Sequence, residues 1–335
     1  MSNYSYLTKI RNTLKNPTVL FVLRLLISGL LLFFLFKLAV VEKIAQAFSH
    51  IAPAYLFLFF ILYFLGASLQ ALRWKYLLRA WDIQQKIGTL FRWIMMGQFL
   101  NNFFPGGLGG DAFRWYAGSR DTDKLENVAA TVFYERVLSY GSLVTLGLIS
   151  LTLRADFSRD RLFWLLLGSI FLALVSLFAV LSLPVLGNLA TRIIEHFPRL
   201  QKTGVTNWLE SFRFRVRQPL MLLGILAISF SIQFLDVLSY QVIANALSLP
   251  VKLSDLFLFV PLLYLAVLLP ITLNGIGVRE TVFVFFSAWW GISQPDAVAF
   301  SLTVFTLNLA GSLIGGPMYW LGRKRADNVK SSETT

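Results

Sequence analysis

Cysteine is absent from this 335-residue chain, histidine occurs only twice, and charged residues make up only 14% of it. Without cysteine the chain can form neither a disulfide nor a zinc–thiolate site. His50 and His196 are too few and too far apart to predict a metal site, and we expect no cofactor. Soluble proteins carry about 25% charged residues. The low charge and the 56% of hydrophobic residues therefore argue against a soluble enzyme.

Long apolar runs are the main feature that is present. Runs of about 18 or more apolar residues predict membrane-spanning helices. Six of them lie near residues 20–39, 53–72, 127–153, 162–183, 219–246 and 297–321. The first has no cleavage site of small residues, so we expect it to stay as a signal anchor. The sequence therefore predicts an all-α integral membrane protein with about six full spans.

The charge distribution predicts the topology. Lysine and arginine outnumber aspartate and glutamate by 30 to 17, and most of these basic residues lie in alternate loops. Short loops rich in Lys and Arg stay in the cytoplasm. We therefore expect cytoplasmic termini, residues 1–19 and 323–335, around a membrane domain at 20–322. The expected neighbours are anionic lipid headgroups rather than nucleic acid. Residues 188–217 are either helices lying on the inner leaflet or a solvated loop.

Two further apolar stretches, near 93–118 and 255–291, are each broken by Pro, Gly and charged residues. Gly107 and Gly109 lie in the first break, and Gly275 and Gly277 lie about half the chain length later in the second. Non-helical backbone at membrane depth needs protein or water around it, so we expect two re-entrant hairpins. With a span on either side of each, the halves form an inverted repeat, which is typical of transporters. Two kinked helices remain the alternative.

Charged residues within the predicted hydrocarbon region indicate a polar interior. Each would cost about 2.5–3.5 kcal/mol if it faced lipid, so we expect them to be paired. These residues are Glu135, Arg136, Asp236, Arg279 and Glu280, with Asp111 and Arg114 beside the first break. We expect Arg136 to pair with Asp111, and Glu135 to pair with Arg114 or Arg279. Such arginines suit an anionic headgroup, although a purely structural ion-pair network is the alternative.

Two polar residues in later spans have less defined roles. Gln233, Asp236 and Tyr240 share one helix face, which we expect to line the cavity. Asp236 either carries a proton or, as we favour, binds a hairpin backbone or an arginine. We expect Asn308, in the last span, to form a helix–helix hydrogen bond.

The motifs around these residues match a known family. The runs NNFFPGGLGGDAFR, ATVFYERVLSYGSL, PITLNGIGVRE and AVAFSLTVFTLNLAGSLIGGPMYWLGRKR together resemble the membrane region of lysylphosphatidylglycerol synthases, over roughly residues 15–325. The resemblance implies a flippase-like domain of a prokaryotic inner membrane, with Asp111, Arg114, Glu135, Arg136, Arg279, Glu280 and the hairpin glycines as its site. The chain ends soon after its last span, so we do not expect lysyl transfer. Where relatives often carry a basic residue, this chain has Asn308.

These observations lead to a lipid translocase as the expected function. Its substrate would be an anionic phospholipid or a polyprenyl-phosphate-linked precursor. The headgroup would be held by Arg114, Arg136 and Arg279 and by the N–H groups of the hairpin glycines, while the neighbouring carboxylates position these arginines. One alternative is a membrane transferase that uses Asp111, Glu135 or Asp236 for acid–base chemistry. Another is a scaffold that docks a glycosyltransferase through 188–217.

Overall fold

The computed structural model of this chain describes residues 51–104, 108–120, 122, 124–153, 161–182, 219–268, 272 and 275–320, and all the secondary structure in them is helical. The helices in this part are α1 Pro53–Ala80, α2 Ile87–Asn101, α3 Leu108–Ser119, α4 Leu125–Leu153, α5 Arg161–Ser182, α6 Pro219–Ala246, α7 Leu253–Leu268, α8 Val278–Trp290 and α9 Gln294–Ser312. The predicted first run, the segment 188–217, both termini and Gly107 lie outside the described residues.

Three helices in the described part are long and apolar enough to cross a membrane: Pro53–Ala80, Leu220–Ala246 and Gln294–Trp320. They coincide with three of the predicted runs. Two other predicted runs, 127–153 and 162–183, coincide with helices α4 and α5. The all-helical prediction is therefore confirmed for the described residues.

Both interrupted stretches are pairs of short helices. Helices α2 and α3 have 15 and 12 residues, and α7 and α8 have 16 and 13. At 1.5 Å per residue, each helix is about 18–24 Å long, shorter than the hydrocarbon core of about 30 Å. Within each pair the two helices pack on each other. Each predicted break therefore falls between two short helices that pack on each other.

Helix packing links the two halves of the chain. Helix α1 makes its most extensive contact with α6. The first broken pair, α2 and α3, touches the second half because α2 packs on α9. The second broken pair, α7 and α8, touches the first half because α7 packs on α4. Helices α4 and α6 also touch, as do α9 and α1. Each half consists of a span, a broken pair and a second span, α1–α4 in one half and α6–α9 in the other. Exchanging these two sets, helix for helix in chain order, leaves the pattern of contacts between them unchanged.

Glycines allow the first broken pair to close tightly. A Cβ on Gly110 would collide with the backbone carbonyl of Gly97 in α2. The N–H of Gly110 also donates to Asn101 Oδ1 at 2.6 Å, which ties the start of α3 to the end of α2. Small residues at a membrane helix interface permit this close approach.

We expect Gly110→Ala to destabilise the first broken pair, because its Cβ meets backbone that cannot move away. The expected loss is about 1–3 kcal/mol in free energy of unfolding, measured by unfolding in mixed SDS micelles. Gly141→Ala is the matched control, because a Cβ there has nothing within 4 Å. Equal stability of the two variants would contradict this account of the packing.

Candidate functional site: an arginine–carboxylate chain in a polar cavity

Five charged side chains from three helices of the first half form one continuous chain of ion pairs. Arg73 of α1 donates from Nε to Glu135 Oε1 of α4 at 3.4 Å. Arg114 of α3 donates to Glu135 Oε2 and, through Nη2, to Asp111 Oδ1 at 2.5 Å. Arg136 of α4 completes the chain by donating from Nε to Asp111 Oδ2. Both expected pairings, Arg136 with Asp111 and Glu135 with Arg114, are therefore confirmed.

The side chains of this ion-pair chain are more exposed toward its Arg136 end. The Arg73 and Glu135 side chains are 4% and 2% exposed, whereas Arg136 at the other end is 27% exposed. Ionised groups this deep need partners at every polar atom. Arg73 has a second acceptor in Ser229 Oγ of α6, to which Nη1 donates at 3.2 Å. The buried end therefore anchors the chain, and the Arg136 end is the one that can meet another molecule.

Aromatic rings fix two of the arginines. The guanidinium of Arg114 lies over the Trp74 ring of α1, 5.4 Å from its centroid. Trp74 is itself fully buried and donates to Thr131 Oγ1 at 2.9 Å. The guanidinium of Arg279 lies 4.8 Å from the centroid of the Phe305 ring. Such cation–π contacts hold a guanidinium in place without neutralising it.

The exposed end of the ion-pair chain opens into a cavity of about 430 Å³. This volume is in the range of about 300–1,000 Å³ that is usual for small-molecule sites. The cavity wall includes all five residues of the ion-pair chain. It also includes Arg279, Asp236 and Asn308. Residues from both halves of the protein therefore surround one polar space.

Asp236, on α6, belongs to a different polar group on the cavity wall. Its carboxylate is hydrogen-bonded to the hydroxyl of Tyr264 on α7. Gln233 and Tyr240 line the same cavity, so the predicted polar face of α6 is confirmed. Among the described residues Asp236 is bonded to neither a hairpin backbone nor an arginine, contrary to the expectation. Its partner is a side-chain hydroxyl of the second broken pair, because Tyr264 projects from α7 toward α6.

Comparison with known proteins supports the resemblance seen in the sequence. The profile of the lysylphosphatidylglycerol synthase TM region matches residues 21–316. The chain belongs to this family. It is also similar to UPF0104 membrane proteins of two archaea. The one from Methanothermobacter thermautotrophicus is 24% identical over 77% of this chain and 82% of its own length. The one from Methanocaldococcus jannaschii is 26% identical over 82% of this chain and 87% of its own.

As a member of the lysylphosphatidylglycerol synthase TM region family, the chain is a multi-pass membrane protein. Its large exposed side chains fit a lipid environment: Phe57, Leu165 and Leu220 are 70%, 71% and 79% exposed. An apolar exterior around a charged interior is the arrangement that membrane helices require, because ions facing lipid are costly.

The three hairpin glycines that the structure describes do not line the cavity, where the sequence suggested anion-binding N–H groups. Gly277 has φ 87° and its N–H donates to Glu280 Oε2 at 2.6 Å, so this donor is already occupied. Side chains fill the space where a Cβ would sit on the other two described glycines, Phe104 at Gly109 and Val267 at Gly275. Neither these two glycines nor Gly277 lies on the cavity wall. At Gly275 and Gly277 the backbone has φ 72° and 87°, which glycine adopts readily.

Two other expected roles also need correction. Glu280 does not position the arginines. It caps α8 by accepting from the Gly277 N–H, and it also accepts from Ser301 of α9 at 3.2 Å. A carboxylate three residues after the N-cap satisfies donors that the first turn leaves free. Asn308 lines the cavity, but its amide donates to the Val304 carbonyl of its own helix at 2.9 Å rather than to another helix.

Sequence reasoning missed Arg73, which is 3% exposed and anchors the ion-pair chain. A basic residue just after the predicted apolar run 53–72 is typical of a loop, whereas α1 continues to Ala80. Its position on α1 gives a signal that could have found it. Trp74 and Leu77 follow it on α1, and both are fully buried, so an apolar pattern continues past the arginine.

Proposed function

We propose that this protein is a lipid translocase of the cytoplasmic membrane that moves an anionic phospholipid or a polyprenyl-phosphate-linked precursor. The observation that carries this proposal is a polar cavity enclosed by apolar helices, with Arg136 and Arg279 on its wall. Guanidinium groups bind phosphate through paired N–H donors and stay charged when water is removed. Such a cavity would lower the cost of moving a headgroup through the hydrocarbon core.

Arg136 and Arg279 would form the headgroup site, with Arg114 behind them. Nε of Arg136 is held by Asp111, and its side chain is the most exposed in the ion-pair chain. Arg279 comes from the other half and reaches the same cavity. Asp111 and Glu135 would act as positioning residues. They fix Arg114 from both sides, so the arginines are in place before any lipid arrives.

The hydrocarbon tails would remain outside the cavity. An apolar groove on the outer surface of α1, α4 and α6 is lined by Leu65, Leu69, Leu146, Phe230, Ser231, Phe234 and Leu235. Leu235 belongs to the walls of both the groove and the polar cavity. A headgroup in the cavity and its chains in this groove would therefore be adjacent.

An inverted repeat with two re-entrant hairpins would give the cavity alternating access. The helix contacts support it, because they stay the same when the two halves are exchanged. The short broken helices support it as well, since none of the four is long enough to cross the core. Opposite orientation of the hairpins would let each one open to a different side.

Single-cysteine labelling tests this topology, and the native chain has no cysteine that must first be removed. Ile87, at the start of α2, is 42% exposed, and Gln294, just after α8, is also exposed. We expect Ile87→Cys to react with an impermeant maleimide from the cytoplasmic side and Gln294→Cys from the opposite side. Reaction of both from one side would contradict the inverted arrangement.

Translocation itself is tested in liposomes that contain the purified protein and a fluorescent phosphatidylglycerol. Dithionite destroys the dye on the outer leaflet only, so translocation appears as loss of more than the outer half of the signal. We expect this loss for the parent protein and for Arg92→Ala, which removes an exposed arginine of α2. Signal retained as in protein-free liposomes would contradict the proposal.

The two alternatives have less support. A transferase needs a carboxylate that is free to exchange a proton with the substrate. Asp111 and Glu135 instead each accept from two arginines, which leaves Asp236 as the candidate carboxylate that no arginine holds among the described residues. The scaffold hypothesis depends on residues 188–217, which lie outside the described residues. Product formation from a donor and a lipid acceptor by the purified protein would favour the transferase, and loss of function on deleting 199–217 alone would favour the scaffold.

A further inference from the structure

Asp236 differs from the two other carboxylates on the cavity wall. Asp111 and Glu135 are each held by two guanidinium groups. In the part of the chain that the structure describes, Asp236 makes no ion pair, and its side-chain partner is the Tyr264 hydroxyl. Arginine is a cation that only donates hydrogen bonds, so an arginine partner favours the ionised carboxylate. A tyrosine hydroxyl can donate or accept, so this pairing accommodates both the ionised and the protonated acid.

The other groups around Asp236 keep one charge state near neutral pH. Helices α1, α4, α7 and α9 pack against α6. The wall carries four guanidiniums, Arg73, Arg114, Arg136 and Arg279, and arginine as a residue type remains a cation in proteins. The phenols on the wall stay neutral there: Tyr63 of α1, Tyr140 of α4, Tyr264 of α7 and Tyr240 of α6 itself. From α9 the wall takes Phe305, Asn308, Leu309 and Ser312, none of which titrates.

A bound headgroup would change the electrostatic surroundings of Asp236. The carboxylate and the headgroup would share one cavity of about 430 Å³ inside a low-dielectric protein. Two negative charges so confined repel each other strongly. Asp111 and Glu135 each already share their charge with two arginines. Among the described residues Asp236 has no arginine partner and is bonded to the Tyr264 hydroxyl, so it is the group that responds.

We propose that Asp236 is a proton-binding site coupled to the anion site, an inference that rests on the proposed lipid translocase function. The Asp236 carboxylate takes one proton from water as the anionic headgroup enters, and the resulting carboxylic acid donates to Tyr264. The proton returns to water when the headgroup leaves. If entry and exit occur on opposite sides, the lipid anion and the proton cross together, and a pH gradient drives the lipid.

Proton uptake on lipid binding tests this coupling directly. The full chain in weakly buffered detergent near neutral pH is mixed with dihexanoyl-phosphatidylglycerol, and an indicator dye reports the protons taken up. Because the two binding events are reciprocally linked, we expect about one proton per bound lipid at saturation. Dihexanoyl-phosphatidylcholine, which has no net charge, should cause no uptake.

Two variants assign the proton to its site. We expect Asp236→Asn to bind the anionic lipid without taking up a proton. Asp255→Asn is the matched control, because Asp255 is a buried aspartate in the same half that does not line the cavity, and its uptake should equal that of the parent. Lipid binding by the parent without uptake, or uptake retained in Asp236→Asn, would overturn this proposal alone. Absence of lipid binding by the parent would overturn the proposed function and this inference together.

Discussion

Glu135→Gln should unfold far more easily than the parent protein. The change keeps the size of the side chain but removes the charge that Arg73 and Arg114 both share. With Glu135 only 2% exposed, water cannot replace the missing charge. Breaking a buried ion pair from one side costs about 3–5 kcal/mol. Unfolding in mixed SDS micelles, followed by circular dichroism, measures the loss as a change in the free energy of unfolding.

Two further variants separate the ion pair from general effects of the substitution. Glu126→Gln changes an exposed glutamate at the start of the same helix, and we expect it to cost less than about 1 kcal/mol. Adding Arg73→Met to Glu135→Gln removes one of the cations left without its partner. The double variant should therefore be more stable than additivity of the two single changes predicts. A cost below 1 kcal/mol for Glu135→Gln would contradict the anchoring role of this end of the chain.

Arg136→Ala should lose most of its affinity for an anionic headgroup. Arg136 is the most exposed member of the ion-pair chain, so its removal takes away a charged donor without opening the buried end. Hydrogen bonds to charged groups contribute about 1.5–3 kcal/mol, which corresponds to an increase in Kd of about 10- to 150-fold. Titration calorimetry with dihexanoyl-phosphatidylglycerol measures this increase.

A lysine at position 136 tests whether the headgroup needs the planar guanidinium or only a positive charge. Arg136→Lys keeps the charge but not the planar fork, so we expect it to recover only part of the affinity. Arg92→Ala, which removes an exposed arginine away from the cavity wall, should bind as the parent does. Equal affinity for Arg136→Ala and the parent would show that the headgroup does not meet this arginine.

The sequence predicted the helices and several ion pairs for a clear physical reason. Ions at membrane depth need partners, so Asp111, Glu135 and their arginines had few ways to be satisfied. The burial of Arg73 was missed because a basic residue near the end of an apolar run is read as a loop residue. The partner of Asp236 was missed because Tyr264 lies in another apolar helix, and nothing local shows that its hydroxyl faces α6. The use of the Gly277 N–H was missed because capping by Glu280 depends on the turn geometry at Gly277.

A structure with bound lipid tests the central claim most directly. The protein in nanodiscs that contain phosphatidylglycerol should show density for a phosphate group in the cavity, within hydrogen-bond distance of Arg136 and Arg279, about 3 Å. The chains should leave past Leu235 into the apolar groove. An empty cavity with lipids ordered only around the outer surface would contradict the account.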